Sequence, residues 1–255
     1  MINTTFMSMV VLFLFDDFEK LPQKEKEEMS EKEKEDAKRY KLLINLVAWA
    51  FFMITLGFMA GFETTMGLAV YSAFGWDTNE SFRAYAAFGV SSLISFACAL
   101  PVSEKYNRSK LTVATSILAH LTLFGANLTD LGQPVPVWQF YLSLSGFIPL
   151  TILQLGLQAI PTVELPQHLQ VGAQMMVQAA GQAGRGIGPV IAMAEYGFFQ
   201  HYFGPHSGMN AALFYQMAAI YIGLLPLFCN FKLVFGSFSD PSPAEKKAAA
   251  AKEMH

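Results

Sequence analysis

Residues 171–196 read VGAQMMVQAAGQAGRGIGPVIAMAEY, and their centre, GQAGRGIGP at 181–189, sets four glycines around one arginine. Glycines at this density suggest a loop that cradles phosphate. Such a loop needs a strand before it and a helix after it, and a Walker-type loop closes on Gly-Lys-Ser or Gly-Lys-Thr. Neither condition is met, because the residues on both sides belong to one apolar run. The stretch therefore reads as the middle of a helix long enough to cross a bilayer, about 20 residues at 1.5 Å each.

Turned at 100° per residue, that helix has three faces. Gln174, Gln178, Gln182 and Arg185 share one sector with Pro189; Gly181, Gly184 and Gly188 lie beside it; Met175, Met176, Ala179, Ala183, Val190 and Ile191 take the opposite side. Gly184 to Gly188 is a small-xxx-small step that admits a second helix backbone. Pro189 and the glycines make the helix easy to bend. The apolar side is expected to meet lipid or packed helices, and the polar sector an aqueous cavity. Arg185 lies about 20 Å along the helix, where exposure to lipid costs at least about 2.5 kcal/mol. Candidate partners are Glu63 and Glu195, of which Glu63 belongs to a different helix. Two readings follow: Arg185 binds an anionic group of a solute, alone or in exchange with Glu63, or it forms a fixed ion pair with Glu63 that holds two helices together.

The rest of the chain repeats the pattern of residues 171–196. Hydrophobic residues make up 53% of the 255 and charged residues only 15%, a composition of membrane proteins. Six apolar runs, at 43–65, 85–100, 111–128, 137–160, 171–196 and 211–235, are bounded by polar, Pro or Gly punctuation. Backbone groups in lipid must be satisfied within their own segment, and the alternation of barrel strands is absent. The expected fold is an all-α membrane protein with six transmembrane helices.

Residues 1–15, MINTTFMSMVVLFLF, are too short to span and lack the basic flank of a signal peptide, so they read as the end of a preceding transmembrane helix. Residues 16–42 hold eighteen of the thirty-seven charged side chains, alternating in sign, as a solvated linker helix does. Residues 43–235 form the bundle, and the small, polar residues 236–255 read as a disordered tail. With the linker on the cytoplasmic side, inside segments carry fifteen Lys and Arg and outside loops carry one, Arg83. That asymmetry places both ends in the cytoplasm. The sequons at Asn79 and Asn127 then fall in outer loops open to glycosylation, whereas Asn107 falls inside and is expected to be unmodified.

The turn between the second and third spans, LPVSEKYNRSK at 100–110, resembles the loop motif of the major facilitator superfamily. Glu104 takes the acidic place, Lys105 the first basic place, Asn107 that of the turn glycine and Arg108 the later basic place, while Leu100 stands where the family has its leading glycine. Asn at a turn position tolerates the left-handed conformation that glycine supplies. Six helices with both ends inside, preceded by a charged linker, resemble the C-terminal half of that fold. Within it the closest resemblance is to the lysosomal branch linked to ceroid lipofuscinosis and its vacuolar relatives. Its carriers are Phe62-Glu63-Thr64, Tyr71, Trp76-Asp77-Thr78, Gly184 to Pro189 and Phe203-Gly204-Pro205, although no proline follows between Met66 and Val70.

The resemblance implies a secondary transporter with its solute site at the midplane, where two halves meet. The partners implied are membrane lipids, a small solute, and a missing N-terminal half or a second half-transporter. Arg185 suits an anionic solute, and an endomembrane of lysosomal or vacuolar type is the expected location. Gln154 and Gln158, with Thr151, line one face of the fourth span, which Pro161 is expected to end; they suit cavity lining or interhelical hydrogen bonds equally. His120, on one face with Thr112 and Ser116, is a candidate for proton coupling, though such a histidine is more often a hydrogen-bonded helix contact. The rival readings are an anion channel and a non-transporting membrane interaction protein. No His or Cys cluster has metal-ligand spacing, no catalytic triad or basic nucleic-acid surface is present, and no cofactor is called for. Cys98 and Cys229 lie in apolar runs and read as core residues.

Overall fold

The computed structural model describes residues 31–60, 67, 71, 73–130, 132–204, 206–236, 240–242 and 245. The chain divides into two units, residues 1–45 and 46–255. The described part of the first is helical. In chain order the helices are α1 (Glu31–Ile54), continued by a π-helix over Thr55–Ala60, α2 (Thr78–Lys105), α3 (Arg108–Ala126), α4 (Val137–Ser145), α5 (Phe147–Glu164), α6 (Gln167–Phe203), α7 (Ser207–Cys229) and α8 (Phe231–Phe235).

Local chemistry sets the ends. Asp77 and Glu80 form a reciprocal capping box that starts α2: Glu80 N–H donates to Asp77 Oδ1 at 2.8 Å and Asp77 N–H to Glu80 Oε2 at 3.3 Å. The fourth apolar run is two helices, broken at Gly146. Pro149 has no N–H for the Ser145 carbonyl, so the ladder is interrupted just upstream of it. Pro161, expected to end this run, does not. It sits inside α5, where its missing N–H costs the bond to Leu157, and the helix runs on to Glu164. The stop comes from Pro166, which holds the preceding Leu165 extended at φ −99°, ψ 149°.

Among the described residues, four helical stretches are long and apolar enough to cross a membrane: Glu35–Gly57, Thr78–Lys105, Val137–Glu164 and Ser207–Cys229. The other two expected spans are helical as α3 and α6 but more polar, because Thr, Ser and His120 interrupt α3 and glutamines, glycines and Arg185 interrupt α6. Large apolar side chains crowd the outer surface, including Leu93 at 71% exposure, Val171 at 69% and Leu225 at 66%. Such a belt has no place in water. The protein is an integral membrane protein.

Within the second unit, α6 packs along the π-helix and against α7, while α5 packs against α2 and α3. The two groups meet where α5 touches α6 and α7 touches α3. Contact of α6 with the end of α1 is made by the glycine face. A Cβ on Gly184 would lie 2.6 Å from the Phe52 carbonyl oxygen and 3.1 Å from Leu56 N, and one on Gly181 would collide with the Phe51 ring. On the other side Gly223 of α7 meets Met53, and the Trp49 indole donates to the Ile222 carbonyl at 3.2 Å. Residues 49–57 are thus clasped between α6 and α7.

Candidate functional site

The polar sector of α6 opens on a cavity of about 430 Å³. Gln178, Gln182 and Arg185 line it from α6, and Thr151, Gln154 and Gln158 from α5. Both sets recur every three or four residues, so each helix offers one polar stripe, and packing α5 on α6 brings the stripes together. The end of α1 contributes Phe51, and the π-helix contributes its first residue, Thr55. Gln154 Nε2 donates to Thr55 Oγ1 at 3.2 Å, and Thr55 Oγ1 donates to the Phe51 carbonyl at 2.7 Å. A π-turn of this kind widens the helix locally. Phe88 and Phe96 of α2 add an aromatic wall, and Phe147, one turn before Thr151 on the same stripe of α5, packs on Phe88 with ring centroids 4.5 Å apart.

Five of the expected solute-site residues, Arg185, Gln178, Gln182, Gln154 and Gln158, therefore share one cavity. Glu63 lies outside the described residues. Gly181, Gly184 and Gly188 are buried and Pro189 is half-buried, as a packing face requires. His120 is not with them. It is exposed on α3, where its ring bonds the Tyr221 hydroxyl of α7 (2.9 Å from Nε2), and it lines a separate apolar groove of about 630 Å³ between those helices. Turning α3 at 100° per residue places His120 on a face, but not opposite a neighbour, so the contact with Tyr221 was invisible in sequence. Reasoning from sequence also missed Thr55 and the aromatic wall. The signal available for the wall was Phe88, Ser92 and Phe96 at helical spacing.

The loop before α3 behaves differently from the turn expected of it. Asn107 is not left-handed: at φ −70°, ψ 155° it caps α3, accepting from Lys110 N–H at 2.8 Å. An Asn oxygen can satisfy a helix end that a glycine cannot, so the cap replaces the glycine turn. Its Nδ2 donates to the Asp240 carbonyl at 2.8 Å, and Ser109 Oγ donates to the Phe235 carbonyl at 2.7 Å. The start of the tail, expected to be unpacked on composition, thus has a docking contact at Asp240. Arg108 pairs with Glu164 at the end of α5 at 2.8 Å. Lys105 lies over the Tyr106 ring, and Glu104 is exposed at the end of α2. Replacing Asn107 with Ala removes a cap and a tail bond and is expected to lower stability by about 1–2 kcal/mol. N107D keeps the capping oxygen but loses the donor to Asp240, so thermal unfolding of the two variants separates the contributions.

Of the two sequons expected to face outward, Asn79 is exposed in the first turn of α2. Asn127 is committed: its Nδ2 donates to the Leu123 carbonyl at 2.8 Å and to the Leu213 carbonyl at 3.3 Å, tying α3 to α7. A glycan would take one of those two hydrogens. A glycan at Asn127 would therefore compete with the bond that ties α3 to α7.

The model of the Major Facilitator Superfamily matches residues 2–189, well over half of the 255. The chain belongs to the Major Facilitator Superfamily. The match begins ahead of the charged stretch and runs through Pro189, so it takes in α2, α3, α5 and the cavity-lining part of α6. No curated protein matches the chain. For a major facilitator protein, transport across a membrane is the supported class of function, and a cavity lined by polar side chains between apolar helices is the feature such transport needs.

Proposed function

We propose that this protein is a secondary active transporter of a small anionic solute, with the cavity between α5 and α6 as its half of the solute site. The observation that carries this reading is the meeting of Arg185, Gln178 and Gln182 with Gln154 and Gln158 around one cavity. A guanidinium inside a membrane protein is costly unless paired, and its five donors suit a carboxylate or phosphate. Glu63 is the proposed counter-charge when no solute is bound. Six spans with both ends cytoplasmic, paired with a further six-helix half from the same or a second chain, complete the proposal. The compartment is an endomembrane of lysosomal or vacuolar type, on the resemblance carried by Gly184 to Pro189 and its companion motifs.

Purified protein in proteoliposomes tests this reading. Uptake of a labelled anion that saturates and is accelerated by unlabelled anion inside identifies a carrier, whereas single-channel current identifies the channel alternative. The topology has its own test. Asn79 is expected to be the sole glycan acceptor, so N79Q should abolish the shift on glycosidase treatment, and N127Q should leave it unchanged.

A further inference from the structure

The apolar groove between α3 and α7 shares no helix with the solute cavity. The cavity is walled by α1, the π-helix, α2, α5 and α6, the groove of about 630 Å³ by α3 and α7 alone. On the transporter reading the cavity side meets the second half, which leaves the groove side to lipid. Val113, Ile117 and Leu121 form one wall of the groove and Ile222, Leu225 and Phe228 the other. Ile117, Leu121, Ile222 and Leu225 are each more than half exposed, so their side chains offer free surface to an occupant. The deep end carries His120 and Tyr221, which bond one another at 2.9 Å from Nε2. A concave site with such walls takes an apolar occupant.

The other end of the groove is charged. Lys110, Val113, Ile117 and Leu121 follow at three- and four-residue spacing and share one face of α3. Lys232 lies on α8, four residues beyond Phe228. The bond from Ser109 Oγ to the Phe235 carbonyl, 2.7 Å long, holds α8 beside the first turn of α3, so both lysines come to the same end, and both are exposed. Lys110 and His120 are ten residues apart, about 15 Å of helix and half of a hydrocarbon core of about 30 Å. The groove therefore spans one leaflet, from interface to midplane. We propose that it holds an acyl chain of an anionic phospholipid whose phosphate is bound by Lys110 and Lys232. On the topology proposed above, that lipid belongs to the cytoplasmic leaflet. A free anion leaves the apolar walls uncovered, and a sterol, with one hydroxyl, leaves both ammonium groups to water. Basic residues at the mouth of a groove between membrane helices bind such headgroups as point charges. The backbone and then the side chain of Ser242, and after them Lys110, hold the Glu245 carboxyl below the usual carboxylate range, so Lys110 already has an acidic neighbour. Lys232 supplies the charge that Glu245 offsets.

The full chain, purified in mild detergent and titrated with phosphatidylserine or phosphatidylcholine, is read by native mass spectrometry as lipid retained per protein. Phosphatidylserine is expected to be held about tenfold more tightly than phosphatidylcholine. At about fivefold per basic residue, K110Q/K232Q is expected to weaken that retention by roughly 30-fold. I117W puts an indole into the groove and is expected to abolish retention. L118W places the same group on the exposed neighbouring position outside the groove and is expected to leave retention unchanged. Thermal unfolding of the two tryptophan variants at similar temperatures shows that I117W is folded, and the surface pair K110Q/K232Q tests the headgroup site whatever I117W does. Equal retention of the two phospholipids, or retention untouched by K110Q/K232Q, overturns the proposal. Retention that survives in folded I117W places the lipid on the charged surface alone and overturns the groove as its site. Displacement of phosphatidylserine by an equal concentration of cholesterol makes the groove a sterol site and overturns the proposal as well. The lipid count needs no transport, so it stands or falls apart from the transporter reading.

Discussion

The G184L variant is expected to fail to assemble, and G184A to unfold with about 1–3 kcal/mol less stability than the parent protein. The atoms that a new Cβ would meet are the Phe52 carbonyl oxygen at 2.6 Å and Leu56 N at 3.1 Å. Both are backbone, so no rotamer change makes room and the helix axes must separate. Separation spreads beyond this contact, because residues 49–57 are held from the far side by Gly223 and by the Trp49 bond to Ile222. Gly186, one residue from the arginine in the same motif, is the control: nothing lies within 4 Å of a Cβ built there. G186A is expected to be tolerated, and its better helix propensity can add up to about 1 kcal/mol. Thermal unfolding followed by size-exclusion chromatography reads all three variants. A G184A protein as stable as G186A would mean that α6 does not pack on α1 as described.

Replacing Arg185 with Ala is expected to lower anion exchange by roughly 10- to 100-fold. A hydrogen bond to a charged group contributes about 1.5–3 kcal/mol, and each 1.4 kcal/mol is a factor of ten. R185K keeps the charge but loses the planar fork, so partial recovery is expected. The double variant R185A/E63A separates the two roles open to the arginine. Where the pair is only a clamp, removing both charges restores folding and exchange together. Where Arg185 binds the solute, the double variant folds but stays inactive. The second outcome is the one expected.

Much of this site was legible because a helix projects its side chains at a fixed pitch. The glutamines at 174, 178 and 182 could be aligned with Arg185, and the glycines set beside them, before any neighbour was known. The structure puts Gly181 and Gly184 against Phe51 and Phe52 and leaves Gln178 and Gln182 in the cavity. Residue pairing between helices was not legible, since a period gives a face and not its partner. That is why His120 belongs with Tyr221 and not with Arg185, and why Asn127 is occupied by Leu213. Local competition also escaped the pattern. Pro161 lies in a helix that tolerates it while Pro166 makes the stop, and Asn107 uses its side chain to cap α3 where a left-handed turn was expected. The π-turn at Thr55 has no sequence marker, yet it sets the residue that Gln154 holds.

The central claim is that one face of α6 looks into water inside a membrane and the opposite face into lipid. Val190 and Gln178 are both exposed on the helix itself, Val190 at 69%, so only their surroundings distinguish them. Met175, expected on the apolar side, lies only about 20° from Gln182 around the helix and marks the boundary between the faces. Single cysteines at 176, 178, 182 and 190 on the C98A/C229A background, treated in native membranes with a charged thiol reagent that does not cross lipid, compare the two faces directly. Q178C and Q182C are expected to react at least tenfold faster than M176C and V190C. Equal rates on both faces, or faster reaction at Met176 and Val190, would contradict the account.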